Sequence, residues 1–130
     1  MLIVEPIQDK RKQEELCRIC GAEYDPDLLA CSAFDGDKLI GICQFEFKSG
    51  YALIHDLRQC PGVNDFEAMF IMTRGALNMI DLCGFHRAQC TANAGDTVLI
   101  KATGFKENQN GLFEIDLTDA FSGKCAGNCN

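Results

Sequence analysis

Apolar residues along this 130-residue chain recur with a period of two in some stretches and near 3.6 in others, and the switches mark the elements. "MLIVEPI" predicts a first strand. "DKRKQEELCRICG" predicts a helix that ends at Gly21, because glycine enters the left-handed conformation without a Cβ penalty. "LLACSAFDGDKLIGICQFEFKSGYALIHDL" predicts three strands turned at "DGD" and "KSG", a meander of hairpins. In the last of these, strict alternation puts Tyr51, Leu53, His55 and Leu57 on one face. Ala52, Ile54, Asp56 and Arg58 take the other.

The longest periodic segment, "NDFEAMFIMTRGALNMIDLCGF", places Phe66, Met69, Phe70, Thr73, Leu77, Ile80 and Cys83 on one helical stripe. Glu67, Arg74, Asn78 and Asp81 are its polar remainder, while Ile71, Met72 and Met79 widen the apolar surface and predict a heavily buried helix. Asn64 is the expected N-cap, with Glu67 reaching back to it. "HRAQCTA" then predicts a strand and "GDTVLIKAT" a short helix. "FKEN" and "LFEIDL" follow as strands around a turn at Asn110-Gly111. The order is β-α-β-β-β-α-β-α-β-β: antiparallel strands first, then a crossover helix leading to a parallel neighbour. That is an α+β chain with a mixed sheet.

Composition narrows the function classes. Residues 1–120 suit one domain with a real core, and 121–130 form a small, polar, cysteine-containing tail. The net charge of −7, from 12 basic and 19 acidic residues, offers no footprint for nucleic acid beyond Lys10-Arg11-Lys12. No apolar run approaches the ~20 residues of a membrane span. The N-terminus has its apolar residues ahead of its basic ones, the reverse of a signal peptide. Nine cysteines, an odd number, in a chain without that signal predict reduced thiols in the cytoplasm.

The element order, and the stretch "NAGDTVLIKATGFKEN" with Asn93, Gly104, Phe105 and Lys106 in their places, resembles the GNAT family of acyl-CoA-dependent N-acetyltransferases. The resemblance runs from about Leu28 to Leu117. It implies three α/β/α layers around a mostly antiparallel sheet, splayed between parallel fourth and fifth strands. It also implies acetyl-CoA as donor and an amine of a small molecule or peptide as acceptor, with no nucleic-acid or membrane partner. The donor's pantetheine arm would lie in the splay along Leu57 and Arg58. Its diphosphate would meet the loop and helix start at Gly62, Val63, Asn64 and Ala68, and Asn93 would help to hold it. Gly104-Phe105 also has a simpler reading, as a Schellman ending with Phe105 folded onto the last turn.

Two positions depart from the family pattern. The loop "RQCPGVNDFEA" keeps one glycine, Gly62, and puts Asp65 and Glu67 in the first helical turn. Carboxylates there satisfy the helix end, for about 0.3–1 kcal/mol each. At 4 Å and an effective dielectric near 20, each repels a phosphate charge by about 4 kcal/mol, so repulsion is the larger effect. In the short helix the family's tyrosine, which protonates the departing thiolate, is replaced by Ile100. Asp96 stands nearby at the helix start.

For chemistry at an amine, His55 and Asp56 are the candidates, on opposite faces by period two, with Glu46 and His86 as weaker ones. Cys17, Cys20, Cys125 and Cys129 form two spaced pairs that would complete a tetrahedral zinc site if the tail folded back. Cys17 and Cys20 alone would be a redox pair, and Cys60 a loop thiol near a helix end. Three functions are therefore weighed: amine acylation, ligand or protein binding on the same fold without catalysis, and a thiolate–zinc module.

Overall fold

The computed structural model describes residues 1–118, 120 and 121. Asp9 opens the first helix by accepting a hydrogen bond from the Arg11 amide. Gly21, at φ 75°, closes it in the left-handed conformation. The elements are β1 (Leu2–Pro6), α1 (Lys10–Cys20), β2 (Leu29–Asp35), β3 (Lys38–Phe47), β4 (Ala52–Gln59), α2 (Phe66–Leu82), β5 (Arg87–Cys90), α3 (Thr97–Ala102), β6 (Lys106–Glu107) and β7 (Phe113–Asp116). A short 3-10 turn, Ala92–Ala94, cuts the fifth strand off earlier than its apolar pattern predicts. Thr91 caps that turn by accepting from the Asn93 amide, so local side-chain bonding wins over the ladder.

Seven strands form one sheet in the order β1-β2-β3-β4-β5-β7-β6. Of the pairings, β4–β5 is parallel and the others are antiparallel. Successive residues of β3 serve opposite layers. Ile42 packs with Leu16, Cys17 and Cys20 of α1, whereas Cys43 joins the larger core under α2 and α3.

Helix α2 buries Ala68, Met69, Met72, Thr73, Ala76, Leu77 and Ile80. Its inward face is thus turned from the predicted stripe: Phe66 and Cys83, at the two ends, are exposed, and Met72 and Ala76 take the centre. Its N-cap is Asp65, not Asn64. The Asp65 carboxylate accepts from the Ala68 amide, while the Asp65 amide donates to the Gln59 side chain. A charged acceptor makes the stronger cap, and the shift leaves Glu67 one residue too early to reach back. Helix α3 ends as a Schellman motif: Gly104 donates to Lys101 and Phe105 to Ile100, with Phe105 folded into the core. No helix among the described residues is long and apolar enough to cross a membrane.

Candidate functional site

Strand β4 carries an extra residue. Gln44 pairs with Asp56 and Phe45 with Ile54, so His55 has no partner across the ladder and forms a β-bulge. The alternation predicted for β4 breaks here. Ile54 and Leu57 both enter the core beneath α2, although they sit three residues apart. Asp56 turns instead to the α1 layer and meets Gln44. His55 and Asp56, expected on opposite faces, therefore line one cavity of about 370 Å³ together with Glu23, Tyr24, Asp25, Pro26 and Leu28.

A buried amide relay fixes Asp56, which is only 8% exposed. Lys10 Nζ donates to Gln13 Oε1 at 3.0 Å, and Gln13 Nε2 donates to Gln44 Oε1 at 2.9 Å. Gln44 Nε2 in turn donates to Asp56 Oδ2 at 2.7 Å and to the Glu23 carbonyl at 2.9 Å. Fully partnered amides of this kind hold one rotamer, because a broken link would strand a polar group away from water. His55 Nε2 lies 2.5 Å from Glu46 Oε2, with Lys48 3.3 Å from the other Glu46 oxygen. The His55 hydrogen bond, aided by Lys48, holds the Glu46 carboxyl below its usual pKa. Burial pushes the Tyr24 phenol up, with Glu14 adding to the shift. His86 is paired with Asp81 at 2.6 Å at the end of α2, where it ties two elements together.

Past the bulge the sheet opens. β4 and β5 pair from Ala52–Ala88 to Ile54–Cys90, and an isolated parallel bridge, Leu57–Gly95, joins β4 to the chain further on. Close approach there depends on glycine: a Cβ on Gly95 would lie 2.5 Å from the Leu57 carbonyl oxygen. Outside the bridge is a cleft of about 300 Å³, lined by Leu57, Arg58 and Gln59 of β4, Asn64, Phe66 and Met69 near the start of α2, and Gly95, Asp96 and Leu99. Cys20 and Gly21 close one side. Arg58 Nη2 donates to the Asn93 carbonyl at 3.1 Å, and Arg58 Nε stands 3.7 Å from Asp56. Of the sequence candidates, Leu57, Arg58 and Asn64 line the cleft, with Asn93 tied to it through Arg58. Gly62 and Val63 form the turn before α2, and Ala68 is buried in its first turns.

Three donors of the loop and first turn are spent locally. Val63 N–H bonds Cys60, Asp65 N–H bonds Gln59, and Ala68 N–H bonds the Asp65 carboxylate. Asp96 adds a carboxylate at the cleft, where it caps α3 by accepting from the Val98 amide. A diphosphate at the start of α2 would meet the Asp65 and Glu67 carboxylates, with Arg58, bonded through Nη2 to the Asn93 carbonyl and unpartnered at its buried Nε, as the basic side chain of the cleft.

The thiols sort by layer. Cys17 and Cys20 belong to the core between α1 and the sheet. Burial pushes their pKa values up to about 11 and about 12, with Asp56 adding to the first and Cys60 to the second. No group of three or more metal-ligating side chains occurs among the described residues. Cys125 and Cys129 of the four-thiolate reading lie outside those residues. Ile100 is fully buried in the core under α2.

Glu23, Tyr24 and Asp25 were not singled out from the sequence. Their signal is the acidic run "AEYDPD" just before β2, which has no periodicity but does carry an Asp turn, with Asp27 N–H donating to Asp25. Gln13 and Gln44 had only one sign: amides sitting at core phases of their elements.

No family model and no curated protein sequence matches the chain. Solved structures do. The ribosomal-protein-S18-alanine N-acetyltransferase of Escherichia coli superposes with a TM-score of 0.67 at 10% identity, over 90% of this chain and 94% of that one. The PaiA N-acetyltransferase of Thermoplasma acidophilum, in complex with coenzyme A, gives 0.67 at 14% identity, over 89% and 99%. The IAA acetyltransferase of Bacillus cereus gives 0.69 at 14% identity, over 90% and 100%. With its strand order, parallel β4–β5 pair and three helices, this chain has the fold of the GNAT acetyltransferases.

Proposed function

We propose that this protein is an N-acyltransferase that moves an acyl group from a thioester such as acetyl-CoA to a cationic amine. The observation that carries the reading is the bulge at His55. It brings His55 and Asp56 into one acid-lined cavity, and the next two residues of the same strand, Leu57 and Arg58, into the cleft. Glu23, Asp25 and Asp56 attract an ammonium group. With Nε2 held by the Glu46 carboxylate, His55 carries its lone pair on Nδ1 and accepts a proton from that ammonium. The thioester, when bound, supplies an activated carbonyl. The amide C–N bond forms as the C–S bond breaks. The ammonium gives up two protons, one to His55 and one to solvent as the amide forms, and solvent returns one to the departing thiolate because Ile100 provides no phenol.

The test is acetyl transfer at millimolar acetyl-CoA to a panel of primary amines, diamines and short peptides, followed by mass spectrometry. Acetylated product is expected, with His55→Ala slower by about 10²-fold, the lower end for general base catalysis. A second reading is a ligand-binding domain without catalysis, favoured by the buried Ile100 and the self-capped α2. Donor binding with no product from any amine selects it.

A further inference from the structure

We infer that the donor is recognised by its arm alone, so that phosphate-free acyl thioesters serve this cleft as well as acyl-CoA does. The inference rests on the donor cleft of the proposed function and concerns which part of the donor is gripped. On the side of the arm, residues 58 and 59 of β4 lie beyond the Leu57–Gly95 bridge, where no strand pairs with that edge. They line the cleft beside Leu99, Phe66 and Met69, a wall of mixed polar and apolar groups. This is the chemistry that binds a chain of amides and methylenes.

On the side of the phosphates the carboxylates and three of the amides point away from an anion, while the buried Arg58 Nε is without a hydrogen-bond partner. Asp65 caps α2 and Glu67 occupies its first turn. Asp96 lines the cleft, and the one basic side chain that lines it, Arg58, is bonded to the Asn93 carbonyl with Asp56 close by. Three loop amides that could face a phosphate are bonded within the loop and first turn. A helix start that meets its own carboxylate gains nothing from a second anion.

The experiment compares acetyl-CoA, S-acetylpantetheine and adenosine 3′,5′-bisphosphate by calorimetric titration at low and high salt. Acetyl-CoA is expected to bind no more tightly than S-acetylpantetheine and to gain on it at high salt, where the repulsion by Asp65 and Glu67 is screened, and the bisphosphate is expected not to bind at all. In the double variant Asp65→Ser, Glu67→Gln, where serine keeps the cap, acetyl-CoA should tighten at least fivefold and S-acetylpantetheine should not move. Acetyl-CoA binding more than tenfold tighter than S-acetylpantetheine in the unaltered chain overturns the inference and leaves the acyltransferase reading standing. So does a double variant in which acetyl-CoA fails to tighten. Failure of both thioesters to bind at millimolar concentration overturns the inference and the donor reading together.

Discussion

Gln44→Leu is expected to destabilise the protein by about 2.5–4 kcal/mol. Gln44 is fully buried and makes three side-chain hydrogen bonds: it accepts from Gln13 and donates to Asp56 and to the Glu23 carbonyl. Loss of the donor to a carboxylate costs about 1.5–3 kcal/mol, and loss of the donor to the Glu23 carbonyl about 1 more. Gln13 keeps the Leu28 carbonyl as a partner at 3.2 Å, so its own share is small. At roughly 4 °C per kcal/mol for a chain of this size, Tm falls by about 10–16 °C. The sharper measurement is a cycle in urea with Gln44→Leu, Asp56→Leu and the double change. Once the carboxylate is gone there is nothing left to strand, so the double variant should recover about 1.5–3 kcal/mol relative to additivity. Additivity within about 0.5 kcal/mol would refute the argument, because the bond between Gln44 and Asp56 would then contribute nothing.

Gly95→Ala should destabilise by about 1–3 kcal/mol and weaken thioester binding. Its backbone is extended at φ 178°, so the obstacle is not conformation but the Leu57 carbonyl oxygen 2.5 Å from the new Cβ; thermal shift with and without ligand reads both effects. Of the seven cysteines in the described residues, Cys83 and Cys60 should be alkylated first in the native protein at pH 8, by mass spectrometry, and Cys17, Cys20 and Cys90 only on unfolding. Because burial raises Cys17 to about 11 and Cys20 and Cys90 to about 12, above the ordinary 9.0, their contribution is complete below pH 9 and is lost as pH rises through 11–12; urea midpoints at pH 8 and 10.5 should show the drop. Glu46 has the opposite sign: its pKa is depressed below 4.5, so the stability it contributes is present above pH 4.5 and disappears as pH falls below that value. Glu46→Gln should flatten that acid limb.

The element order was legible because it rests on period. Each strand and helix of the meander, the long crossover and the α3 ending falls within a few residues of its apolar pattern. Gly104-Phe105 was legible because a glycine followed by an apolar residue closes a helix whatever surrounds it. What the pattern hid is pairing. A bulge exists only between two strands, and nothing in "ALIHDLRQ" marks His55 as the residue without a partner, so alternation carried past it sends Leu57 and Asp56 to the wrong layers. The α2 cap was off by one residue because two capping types stand side by side, and the choice between them depends on a glutamine six residues upstream of Asp65. The acidic wall of the cavity beside His55 and Asp56 comes from a loop, where side-chain direction has no period to follow.

The unmatched residue in β4 also makes that strand tolerant at one point of its length. One link fewer at His55 would leave a regular ladder, with Asp56 still opposite Gln44, Ile54 still opposite Phe45, and the leucine after them still in oil. Exchange of the imidazole for another side chain disturbs a single station along the strand. Removal of that station straightens the strand without turning inside to outside, so the spare link serves the imidazole and not the ladder.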